Sequence, residues 1–215
     1  MSALLSAAAV CLPGAASAQA TAPGKAAQRG TTILVLGDSL SAEYGLQRGS
    51  GWVALLQARL AARKPPVEVI NASISGDTTA GGRARLGALL KTHQPSHVII
   101  ELGGNDALRG LPLGMTETNL LAMSQAAKAV GAKVMLIGMQ VPPNYGPQYA
   151  RDFSALYARV AKAEGAALVP FLLKGVADDA DALRWFQADR IHPNEAAHPR
   201  LLDNVWVVLK PWLPA

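Results

Sequence analysis

The chain has 215 residues, half of them apolar and 16% charged, enough to build one sizeable core and to make a single domain the default. Its net charge of +5 comes from basic residues scattered between Lys25 and Lys210, and aromatic residues make up only 5%, which argues against a stacking nucleic-acid surface. The one cysteine, Cys11, excludes a disulfide within the chain.

Met1–Ala20 is an apolar, Ala-rich opening that ends in Ala16-Ser17-Ala18-Gln19-Ala20, small residues that suit signal-peptidase cleavage near Ala18 or Ala20. No Lys or Arg precedes the apolar run, so the expected export signal is truncated at its start. Val10 stands where a lipoprotein signal needs a small residue before Cys11, which disfavours a lipid anchor. The expected product is periplasmic or secreted, with no membrane span. Thr21–Gly30 is an Ala/Pro/Gly linker, and 31–215 is the expected globular domain.

The first predicted strand, Thr31–Gly37, is a branched apolar run that stops at Gly37-Asp38-Ser39 and hands one hydroxyl to solvent. Residues 41–51 form a loop, and a helix follows over Trp52–Arg63 until Pro65-Pro66 stops it. Val67–Asn71 is the second strand. The polar loop Ala72–Thr79 leads to a helix that runs through Leu90. The third strand, His97–Leu102, enters Gly103-Gly104-Asn105-Asp106. A helix over Thr116–Val130 has Thr116 as its cap, and Lys133–Met139 is the fourth strand. The loop Pro142–Pro147 precedes a helix near Tyr149–Glu164. Ala167–Phe171 is the fifth strand, and the last helix runs from Pro199 to Lys210. Five alternations of strand and helix predict an α/β fold of three layers, with a doubly wound parallel sheet covered on both faces.

In such a sheet every strand's carboxyl end faces the same way, so Gly-Asp-Ser, Ser-Gly-Asp and Gly-Gly-Asn-Asp meet in one crevice. Near the C-terminus, Asp189 and His192 stand three residues apart, and Pro193 forces His192 toward extended geometry. A nucleophilic serine needs a base, and the base needs a carboxylate on its other nitrogen. Ser39, His192 and Asp189 supply the three types, although a D-x-x-H pair alone is a common accident. A binding module of the flavodoxin type, with Ser39, Ser41 and a helix N-terminus holding phosphate, uses the first strand equally well but leaves His192 without a role. His93 and His97 have the spacing of a metal pair, but Pro95 breaks the helix that would align them, so no metal is expected. Asp178, Asp179 and Asp181 read as a solvated acidic loop. Arg59, Arg63, Lys64, Arg83 and Arg85 read as solvated helix faces.

Gly37-Asp38-Ser39-Leu40-Ser41, Asn71-Ala72-Ser73-Ile74-Ser75-Gly76-Asp77-Thr78, Glu101-Leu102-Gly103-Gly104-Asn105-Asp106 and Asp189-Arg190-Ile191-His192-Pro193-Asn194 resemble, in order, the sequence blocks of the GDSL or SGNH hydrolases. The likeness is greatest to the bacterial thioesterase I, lysophospholipase and arylesterase branch, and it spans about Thr31 to Leu213. It implies a flavodoxin-like fold with five parallel strands and a cofactor-free serine esterase. Ser39 is then the nucleophile, His192 the base and Asp189 its orienter. The N–H groups of Ser39 and Gly76 and the amide of Asn105 form the oxyanion hole. Asp38 and Asp106 organise loops, and Ala107, Leu108, Val141, Pro142, Asn144 and Tyr145 wall the acyl pocket. The implied substrates are aryl and short- to medium-chain esters, extending to thioesters and lysophospholipids. Acyl transfer to carbohydrate, or its deacetylation, uses the same constellation. Members of the branch differ at Glu43-Tyr44-Gly45-Leu46, so leaving-group preference does not transfer across that segment.

Overall fold

The computed structural model describes residues 30–213. The expected export signal and nearly all of the linker lie outside them. Strand β1 (Thr31–Gly37) is continuously apolar from Ile33 to Leu36, where it is fully enclosed and buried on both faces. It lies between β2 (Val67–Asn71) and β3 (His97–Glu101). Strands β4 (Lys133–Ile137) and β5 (Ala167–Val169) extend the sheet beyond β3, giving the order β2-β1-β3-β4-β5 with every pair parallel.

Helices α1 (Trp52–Ala61) and α6 (His198–Leu209) pack together on one face of the sheet. Helices α2 (Thr79–His93), α4 (Leu113–Ala129) and α5 (Pro147–Glu164) cover the other, and the short α3 (Gly104–Leu108) follows β3. The three-layer α/β architecture is the expected one. Its termini follow local chemistry. Thr78 caps α2 by accepting the Gly81 N–H, Pro147 opens α5, and Gly165 closes α5 at φ 62°. Helix α1 has no cap of its own, but Nδ1 of the buried His198 accepts the Trp52 N–H at 3.0 Å and supplies one from α6.

Several expectations need correction. Thr116 does not cap α4, which begins earlier, at Leu113. Thr116 is buried, and its hydroxyl donates to Asp106 at 3.3 Å. Residues 104–108, expected as loop, are helical. Arg85 is not on a solvated face. Its Nε donates to Asp77 at 2.9 Å and its Nη1 to the Ala72 carbonyl, which ties α2 to the loop after β2. Asp179 is no loose solvated acid, since it accepts from the Trp185 indole and from Arg184, each at 3.0 Å. His97 is buried, with Ser96 and the Trp212 carbonyl as its partners, and no group of three candidate metal ligands occurs among the described residues.

Candidate active site

The turn after β1 is built for close approach. Ala42 N–H returns to the Asp38 carbonyl at 2.9 Å, making a single helical turn that lifts Ser39 at the carboxyl edge of the sheet. A Cβ on Gly37 would come within 2.8 Å of both Ser41 and Glu101, so only glycine allows this turn to sit against β3. Under the turn lies Glu101, fully enclosed at the end of β3. Its Oε2 accepts the Ser41 hydroxyl at 2.7 Å and the Asp38 N–H at 3.3 Å, while the Trp52 indole donates to Ser41 Oγ at 3.2 Å. Oε1 has no hydrogen-bond partner. Burial, and secondly the charge of Asp38, push the Glu101 carboxyl well above its ordinary range.

Asp38 accepts the Leu40 N–H through Oδ1 and the Asn105 amide through Oδ2, both at 3.0 Å. Burial raises it to about 6 against the lowering effects of those donors and of His192. Each primary amide has two hydrogens, so Asn105 keeps a second for another acceptor. Asp106 faces away from the cleft. It accepts the Thr79 N–H at 2.9 Å together with the hydroxyls of Thr79 and Thr116, and so joins α2, α3 and α4.

Opposite Ser39 stands the loop after β5. His192 Nε2 lies 2.9 Å from Ser39 Oγ, and Nδ1 lies 2.7 Å from Asp189 Oδ2. Asp189 Oδ1 accepts the backbone N–H groups of Ile191 and His192 at 2.9 and 3.0 Å. These two amides, His192 first, hold the Asp189 carboxyl down at about 2, so it is ionised throughout the neutral range. Arg190 adopts φ 59°, the local distortion that folds the loop back on Asp189. Such a chain can take a proton from the hydroxyl and stabilise the imidazolium that results.

Gly76, at φ 78°, lies in the loop between β2 and α2. Its carbonyl accepts from Arg109 at 2.7 Å, which fixes the peptide beside α3. It does not contribute to the cavity wall.

A cavity of about 520 Å³ opens at Ser39, Asn105 and His192. Of the expected wall residues, Leu108, Val141 and Pro142 line it, but Ala107, Asn144 and Tyr145 do not. Ala107 is buried in the core, and Asn144 and Tyr145 belong to the turn Pro143–Tyr145 outside the lining. Sequence reasoning missed Met139 after β4, Phe153 on α5, and Phe171, Leu173, Phe186 and Ile191 on the segment after β5. A signal for Phe153 did exist, because Tyr149, Phe153 and Tyr157 recur at helical spacing and form a ring ladder.

Residues 35–200 match the model of the GDSL-like lipase/acylhydrolase family. Esterase TesA of Pseudomonas aeruginosa is 57% identical over 182 residues, covering 85% of this chain and 89% of that protein. The Escherichia coli thioesterase 1/protease 1/lysophospholipase L1 is 44% identical over 180 residues, 84% of each chain. The crystal structure of esterase EstA from Pseudoalteromonas, inhibited by monoethylphosphonate, superposes with a TM-score of 0.78 at 42% identity and covers 85% of this chain and 98% of its own.

Proposed function

The chain belongs to the GDSL-like lipase/acylhydrolase family and is an ester hydrolase, and from that premise we propose that it works through an acyl-enzyme on Ser39. The observation that carries the reading is the continuous hydrogen-bond chain from Ser39 through His192 to Asp189 at the mouth of an apolar cavity.

Ser39 Oγ attacks the ester carbonyl as His192 Nε2 takes its proton. The carbonyl oxygen becomes an oxyanion that accepts from the N–H groups of Ser39 and Gly76 and from the free hydrogen of Asn105. Preorganised donors of this kind are each worth about 3–4 kcal/mol. The intermediate collapses, the alcohol oxygen leaves with the proton from His192, and the acyl group stays on Ser39. Water, deprotonated by His192, repeats the sequence and releases the acid. No step calls on a metal or an organic cofactor.

The apolar wall of Leu108, Val141, Phe153, Phe171 and Phe186 suits an aryl or a short- to medium-chain acyl group. Thioesters and lysophospholipids fit the same chemistry, and names of the relatives include thioesterase and lysophospholipase. No described helix is long and apolar enough to cross a membrane. The Met1–Ala20 segment supports export, with residues 31–215 acting as one catalytic domain in the periplasm or outside the cell.

Hydrolysis of p-nitrophenyl esters of rising acyl length, by the wild type and by Ser39→Ala, tests the proposal. Turnover in the wild type alone, with a defined chain-length optimum, is expected. Equal turnover in both proteins, or none in either, overturns it.

A further inference from the structure

We infer that Tyr44 is the platform on which the leaving group rests, and that it favours esters of flat aromatic alcohols. The inference rests on the acyl-enzyme reading above. His192 must deliver a proton to the departing oxygen, so the leaving group lies within hydrogen-bond reach of His192 Nε2. The cavity occupies one side of that imidazole, and Tyr44 is not part of its wall. Instead the Tyr44 ring lies against His192, with centroids 4.4 Å apart and planes tilted by 40°. The acyl chain therefore has the cavity, and the alcohol portion meets Tyr44.

The ring is half exposed, at 49%, so it is not a core side chain. Its backbone is nevertheless anchored. Gln187 Nε2 donates to the carbonyls of both Tyr44 and Pro193, at 2.9 and 3.0 Å, and the Gln187 N–H donates to the His192 carbonyl at 2.8 Å. Before Tyr44, Glu43 takes φ 60°, and its carboxylate accepts the N–H groups of Gly49 and Gly51. One glutamine thus holds the aromatic ring and the base in fixed relation, while the ring keeps a face toward solvent. An exposed aromatic ring fixed beside the proton donor fits an aryl group by offset or edge stacking.

The step balances as for any ester. The Ser39 Oγ–carbon bond forms, the carbon–aryloxy bond breaks, and the aryloxy oxygen takes the proton from His192. Because phenols are good leaving groups in their own right, the test compares phenyl acetate with hexafluoroisopropyl acetate, whose alcohol is acidic but has no ring. In Tyr44→Leu, kcat/KM for phenyl acetate is expected to fall about 2- to 12-fold, the range of one aromatic pair, with hexafluoroisopropyl acetate little changed. Tyr44→Phe is expected to restore the preference. Equal loss on both esters would mean that the ring only props His192, and no loss on either would mean that it does not meet the leaving group. Either result overturns the inference. Turnover of these esters that survives Ser39→Ala would instead indict the acyl-enzyme reading.

Discussion

Glu101 is a buried carboxyl in contact with the nucleophile turn, and its charge is a liability there. Because its folded value is raised, the stability it contributes is present at low pH and is lost as pH rises through that folded value. Glu101→Gln removes the titration and keeps an oxygen for Ser41 and the Asp38 N–H. Its melting temperature relative to wild type is therefore expected to climb between pH 5 and pH 8, and parallel melting curves across that range would refute the account. Asp189 has the opposite sign, since its depressed value keeps it charged wherever the enzyme is assayed. Asp189→Asn places an amide opposite His192 Nδ1 and favours the wrong tautomer. A fall in kcat of about 10²–10⁴-fold is expected in steady-state assays of the activated ester.

Among the elements, the join between α1 and α6 is the clearest long-range dependence. His198 accepts the Trp52 N–H only while neutral, and burial lowers its value and so favours that form. As the ring has a depressed folded value, its contribution is held at higher pH and lost on acidification. His198→Ala should cost about 1 kcal/mol, the typical worth of a helix cap, and lower the melting temperature by roughly 2–4 °C. A scan at neutral pH reads this directly. Nothing in the sequence announced the join, because it links residues 146 apart. What was legible was local. The branched runs of β1 and β3 declared strands, the helix expected near Tyr149–Glu164 starts only two residues earlier, at Pro147, and Ser39, Asn105 and the Asp189-x-x-His192 pair stood out as candidates within a few residues of sequence. Thr116 was misread because a hydroxyl before an apolar run looks like a cap, whereas Asp106 engages it across a turn. Helix α3 is too short, at five residues, for any periodicity to show. Much of the observed cavity wall was missed for a related reason. Phe153, Phe171 and Phe186 are ordinary apolar residues in sequence and become a surface only when α5 and the segment after β5 converge.

For the molecule as a whole, strands β1, β3 and β4 each have a partner on both sides, and the candidate site is built from the loops beyond β1 and β3 and the segment that follows the edge strand β5. Hydrogen exchange should resolve this as two populations. Amides of β1 and β3 are expected to exchange only by global unfolding, and those of residues 141–146 and 177–192 by local opening, at least 10²-fold faster. Uniform protection would show that the site is as rigid as its scaffold. The same layout has a bearing on biosynthesis. Ser39 and His192 are 153 residues apart, the serine just after the first strand and the imidazole beyond the last. A nascent chain therefore displays its serine long before the imidazole has been translated, and with His192 as the base it stays chemically silent on the ribosome until residue 192 has emerged.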